Sequence, residues 1–128
     1  MAPAEPLEQQ ARGVFNPQVV DLISADETTG EVVLLMLEER PWSGDESQLR
    51  QVEAKFNAYL EYVLGGHMVK QYPDYEGKPV RFQLDCVENP RPDHHSFFTA
   101  MSNFASGEGI RLVVSVIQTT SAETRGGG

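Results

Sequence analysis

Apolar and polar positions along the chain divide it into six elements. Val19-Val20-Asp21-Leu22-Ile23 and Glu31-Val32-Val33-Leu34-Leu35-Met36-Leu37 are apolar or β-branched runs, joined by the polar stretch Ser24-Ala25-Asp26-Glu27-Thr28-Thr29-Gly30. That pattern predicts a hairpin. The second run is apolar at nearly every position, so it is expected inside the sheet with both faces at least partly covered. Pro41 and Gly44 then break the pattern, and Asp45 or Ser47 can cap the start of a helix. Leu49, Val52, Phe56, Tyr59, Leu60, Val63 and Leu64 follow at spacings of three and four, one apolar stripe on a helix of roughly five turns. Gly65-Gly66 is expected to end it with a left-handed cap.

Between Met68 and Pro79 no period is sustained, which predicts a connecting segment packed by its tyrosines. Val80-Arg81-Phe82-Gln83-Leu84-Asp85-Cys86 alternates strictly, the period of a half-buried strand with Val80, Phe82, Leu84 and Cys86 inward. After a Pro-rich turn, His94 to Ser106 places Phe97, Phe98, Met101, Phe104 and Ala105 on one helical face, and Gly107 offers an end. Ile110 to Gln118 is a β-branched run dense enough for a central strand.

The order ββαβαβ predicts an α+β fold, a mixed sheet with helices on one face. A β-grasp, in which a long helix crosses a mixed sheet, fits this order better than a ferredoxin-like β-α-β-β-α-β arrangement. Residues 1–18 mix Pro, Ala, Gln and Glu with little apolar periodicity and are expected to form a disordered lead-in. The domain is then expected over 19–118, with a flexible tail over 119–128.

At 128 residues the chain has the size of one domain. Ten Lys+Arg against nineteen Asp+Glu give a net charge of −9, which argues against nucleic acid, whose binding needs clustered cations. No apolar run approaches the roughly eighteen residues of a membrane span. Pro3, Glu5, Pro6 and Glu8 also stand where a signal peptide needs apolar residues. A soluble, cytoplasmic protein is expected. Cys86 is the only cysteine, so no internal disulfide and no cysteine-based metal cluster can form.

The segment whose composition asks for more than a fold is Ser121-Ala122-Glu123-Thr124-Arg125-Gly126-Gly127-Gly128. Extended, it reaches about 25 Å beyond the body. Three glycines form the slimmest backbone a protein can present, able to enter a narrow channel. A free carboxylate at such a tip can be activated as an acyl-adenylate and passed to a thiol or an amine.

A compact ββαβαβ domain followed by Arg125-Gly126-Gly127-Gly128 resembles the ubiquitin-like modifiers and their sulfur-carrier relatives. That resemblance implies Gly128 as acyl donor, with Arg125, Gly126 and Gly127 gripped by an activating enzyme that uses ATP. It further implies a conjugating enzyme and an isopeptidase as partners, with no cofactor bound by the chain itself. Separately, Val20-Asp21-Leu22-Ile23, Phe56-Asn57-Ala58-Tyr59-Leu60, the Gly65-Gly66 helix end and Tyr72-Pro73 are similar to a family of small uncharacterised bacterial domains, over about residues 19–117. That second resemblance implies no activity.

Other residue types capable of chemistry read as structural. Cys86 is expected to be a buried small hydrophobe, because a nucleophilic thiol needs a base or a helix N-terminus and its sequence neighbours Asp85 and Glu88 are acidic. No metal site is expected: the adjacent His94 and His95 would point to different faces of a helix start, exposed to water, and His67 stands apart. Asp26-Glu27, Glu38-Glu39 and Asp45-Glu46 are expected to be solvated pairs on turns. Trp42 is either an interface anchor or a cover for the edge of the core. With Tyr72 and Tyr75 it would serve the alternative function, a non-covalent protein-binding or immunity-type domain with an incidental glycine end. The two-sided apolar run Val32 to Leu37 leaves room for self-association. The expectation is a protein acted upon by enzymes rather than an enzyme.

Overall fold

The computed structural model describes residues 12–117. Strands β1 (Leu22–Asp26), β2 (Glu31–Glu38), β3 (Val80–Cys86) and β4 (Ile110–Val116) form one sheet in the order β1-β2-β3-β4. β1 and β2 are antiparallel, whereas β2–β3 and β3–β4 are parallel. Helices α1 (Glu46–Leu64), α2 (His67–Gln71) and α3 (His95–Gly107) occupy the connections. The fold is therefore α+β with an open mixed sheet.

The hairpin forms as the pattern requires, but β1 begins later than expected and takes in Ser24, Ala25 and Asp26. A polar residue on an edge strand costs little, because half its surroundings are water. The turn tightens to Asp26–Gly30, closed by the Gly30 amide on the Asp26 carbonyl at 2.7 Å. Gly30 sits at φ +78°, a left-handed conformation that side chains resist.

Helix α1 begins one residue after Asp45, whose carboxylate accepts the Ser47 amide at 3.0 Å. At its far end Gly65 stays right-handed and Gly66 is the residue that turns left-handed, φ +86°. The supposed connection from Met68 onward is in part helical: α2 and a 3-10 turn at Pro73–Tyr75 follow, and Met68 is buried. Five residues are too few to display a helical period, so this helix left no pattern to read.

β3 alternates buried and half-buried along its whole length, with Val80, Phe82, Leu84 and Cys86 inward. Phe82 receives the ring edges of Phe56 and Tyr59 from α1 at 5.9 and 5.6 Å. On α3, Phe98, Met101 and Ala105 join the same core, while Phe104 lies at the rim, 55% exposed, edge-on to Phe56. The helices α1 and α3 thus share the sheet face that carries Phe82.

Two expectations fail here for physical reasons. β4 is not central: it pairs with β3 alone among the described residues, and five of its seven residues are only half-buried. β-branched density reports affinity for a sheet and says nothing of rank within it. The lead-in, for its part, is ordered within 12–18: Val14 is fully buried and its amide bonds the Leu37 carbonyl at 2.9 Å. Residues 1–11 and 118–128 lie outside the described residues.

Candidate functional site

Polar chemistry in the described body is gathered into clusters, each anchored on a different element. The deepest joins the chain before β1 to α1. Asp21 and Lys55 have fully buried side chains and meet at 2.9 Å. The Lys55 ammonium also donates to the carbonyls of Asn16 and Val19, at 2.7 and 2.6 Å, so all three of its protons are used. Asp21 accepts the amides of Gly13 and Leu37 as well, both at 2.9 Å. Beside them the Tyr59 hydroxyl donates to the Leu35 carbonyl at 2.5 Å and accepts the Asp21 amide at 2.8 Å. Burial depresses the Lys55 pKa in spite of Asp21, and burial raises that of the Tyr59 phenol. Lys55 lies between Val52 and Phe56 on a helix whose apolar spacing was readable, and nothing in that spacing marks a buried cation.

The second cluster is Glu38, Arg40 and Gln48. Glu38 is 1% exposed, against the expectation of a solvated Glu38-Glu39 pair. Its carboxylate accepts the Arg40 amide, Nε and Nη2 at 3.0, 2.9 and 2.7 Å, and Gln48 Nε2 at 3.1 Å. Burial alone would push its pKa up, but the donors from Arg40 and Gln48 overcome this and hold it below the ordinary value. Glu39 is exposed, and Asp45 is the helix cap.

A third cluster lies on the sheet face opposite the helices. Arg111 grips Glu31 with two bonds of 2.9 Å, and Arg81 bridges Glu31 and Asp26 at 2.7 and 3.2 Å. The Arg111 contact, above all, lowers Glu31 to about 2. Asp26 is lowered to about 2 as well, chiefly by its bonds to Thr28 with Arg81 adding to them. Every charge in this group has a partner, so the group locks all four strands together rather than offering a reactive carboxylate.

The residues expected to carry chemistry are dispersed. Cys86 is fully buried, and burial, then Glu38 and Asp85, push its thiol up to about 12. That removes it as a nucleophile near neutrality. His94 is buried rather than exposed, because the chain enters α3 through a 3-10 turn that swings its ring edge-on to Trp42. Its Nδ1 has no hydrogen-bond partner among the described residues. His95 and His67 are exposed and apart. No group of three or more potential metal ligands occurs among the described residues.

Of the candidate interface residues, Trp42 faces inward at 6% exposure, its amide and indole nitrogens both bonded to Glu88 at 3.0 Å. It covers the end of the core against Phe98 and is not a surface anchor. Tyr72 and Tyr75 do come together, stacked at 5.4 Å beside α2 with Tyr72 37% exposed. Arg125, Gly126, Gly127 and Gly128 lie outside the described residues.

A groove of about 460 Å³ runs between α3 and β4 and is lined by His95, Phe98, Thr99 and Ser102 facing Leu112, Val114 and Val116. No helix among the described residues is long and apolar enough to cross a membrane.

No characterised protein and no solved structure matches the chain. Residues 13–118 match a family of unknown function, DUF6572, and no ubiquitin-like family matches. The match spans the body from the Val14 anchor through the end of β4, and the chain belongs to that family.

Proposed function

We propose that the protein is a ubiquitin-like modifier of a bacterial-type conjugation pathway, working in the cytoplasm, with Gly128 as the acyl donor. The observation that carries this reading is the Arg125-Gly126-Gly127-Gly128 run placed after the last strand. In support, the body offers no assembled reactive centre among its described residues: the thiol is buried, the carboxylates with shifted pKa are paired, and the histidines are dispersed. On this reading the hairpin, the long helix and the mixed sheet form a β-grasp-like carrier body. Adenylation would join the Gly128 carboxylate to the α-phosphate of ATP with release of pyrophosphate, inside a partner enzyme that binds the nucleotide. Attack by a thiol or amine on that carbonyl would then release AMP. Arg125 to Gly127 would lie in the partner's channel.

The test is incubation with ATP and the candidate activating enzyme, followed by mass spectrometry of the terminal peptide. An acyl adduct at Gly128 that disappears on deletion of Gly126–Gly128, with unchanged thermal stability of the body, supports the reading. An unmodified terminal carboxyl in the presence of an enzyme active on another substrate defeats it.

A second reading is favoured by the Tyr72–Tyr75 stack, in which Tyr72 is exposed and Tyr75 half-buried: a non-covalent binding or immunity-type domain. Here the deletion would change nothing, and Tyr72→Ala with Tyr75→Ala would abolish partner capture.

A further inference from the structure

The two sides of the β4 backbone are unequal. The Ile117 amide donates to the Cys86 carbonyl at 2.8 Å, so Ile117 and, by alternation, Arg111, Val113 and Ser115 turn their backbone groups toward β3. The N–H and C=O groups of Leu112, Val114 and Val116 therefore point away from the sheet, with no strand beyond them among the described residues. Natural edges are blunted by charge, proline, bulges or shortness. β4 has seven residues, no proline and one charge, and pairs with β3 without a bulge.

We propose that β4 is a homodimer edge: two copies of this chain pair their β4 strands antiparallel about Val113, making a continuous eight-stranded sheet. The register follows from using the whole strand. Val113 then faces itself across the dyad, Leu112 faces Val114 of the second copy, and Arg111 faces Ser115 of the second copy. Arg111 stays bound to Glu31 of its own chain, on the side of β4 away from the junction, so the facing pair sets a neutralised cation opposite an uncharged serine.

Charge and shape favour a second copy as the occupant. The chain carries −9 overall, yet β4 holds one cation and no acid, so acidic chains can meet here without opposed carboxylates. A two-fold axis perpendicular to the sheet keeps both sets of helices on one face, which places the two α3 helices on either side of the junction. Each groove between α3 and β4 is then walled by the other copy, and Leu112, Val114 and Val116 become continuous with their counterparts. A stable dimer needs about 800 Å² per partner, and the α3 flanks at Thr99, Ser102 and Asn103 supplement the strand pairing toward it. This inference is independent of whether Gly128 is an acyl donor.

Sedimentation of the full chain at about 100 μM, a hundredfold above a micromolar Kd, should give twice the 14.2 kDa mass. Val114→Pro removes an outward N–H without breaking a bond to β3 and should weaken association more than about tenfold. Val113→Cys tests the same edge without relying on a proline that could unfold it. Facing residues that exchange no backbone bonds in an antiparallel pair lie about 4.5 Å apart at Cα, within disulfide range. Val113→Cys should therefore cross-link on mild oxidation, whereas Ser115→Cys, which faces Arg111, should not. A monomer at this concentration, or equal cross-linking of the two cysteine variants, overturns the proposal. A monomer whose Leu112, Val114 and Val116 amides are nonetheless protected from exchange overturns it too, and assigns the edge to the chain's own residues beyond Ile117.

Discussion

The two edges of the sheet are finished in opposite ways. β1 is short, five residues, and polar at its end, with exposed positions along it. The chain leading into it is fastened to β2 and α1 by Asp21, Lys55 and Tyr59, and Val14 extends the pairing to Leu37. β4 is longer, β-branched and smooth, with a groove beside it. At the first edge, buried polar groups satisfy backbone atoms that a longer strand would have paired. At the second, the outer backbone groups of β4 itself meet no strand among the described residues. An exposed flat edge is a hazard unless something uses it, and the contrast within one sheet is what points to use.

Breaking the closed edge should have the largest effect. Lys55→Met leaves Asp21 buried without its cation and the Asn16 and Val19 carbonyls without a donor, and removal of one member of such a pair costs about 3–5 kcal/mol. Urea unfolding should show the midpoint falling accordingly. A loss below about 1 kcal/mol would mean that the pair is not what fastens this edge.

Glu31→Gln comes next, at about 1.5 kcal/mol, discounted because Arg111 is half in water. Its pH dependence has a defined sign. Folding lowers Glu31 from its ordinary 4.5 to about 2, so the unfolded chain binds more protons and the stabilisation is complete above 4.5. It is lost as the pH falls from there toward 2. Stability measured against pH should fall less steeply across that window in Glu31→Gln than in the parent chain, with Asp26 and Glu38, both also lowered, contributing to the slope that remains.

Gly30→Ala should cost about 1 kcal/mol, since alanine resists φ +78° while its Cβ would meet no atom within 4 Å. Thermal melts resolve that loss, and the oligomeric state should not change. The smallest effect sharpens the contrast most. Ser24→Lys places a charge on the β1 edge and should shift stability by less than about 0.5 kcal/mol, with sedimentation unaltered, whereas Val114→Pro on β4 acts on association.

Much of the candidate site was invisible in the residue pattern for one physical reason: burying a charge depends on where its counter-charge arrives. Glu38 beside Glu39 looks solvated until Arg40 and Gln48 converge on it. Lys55 looks like a surface lysine until the chain before β1 brings Asp21 and two carbonyls to its ammonium. His94 and Trp42 were placed wrongly or ambiguously because a 3-10 turn at Pro92–His94 rotates the entry to α3, and turns of that length carry no period.

Local repetition was enough to place α1, β3 and α3 and the alternation of β3, because those features depend only on which neighbours one, three or four residues away share a face. The same reading identified Cys86 as a buried, unreactive thiol. Rank in the sheet, the closing of one edge and the openness of the other depend on contacts between residues dozens of positions apart. Nothing in the spacing of IRLVVSV distinguishes an interior strand from one whose outer backbone faces away from the sheet. That difference arises only when β3 takes one side of it and, among the described residues, no strand takes the other.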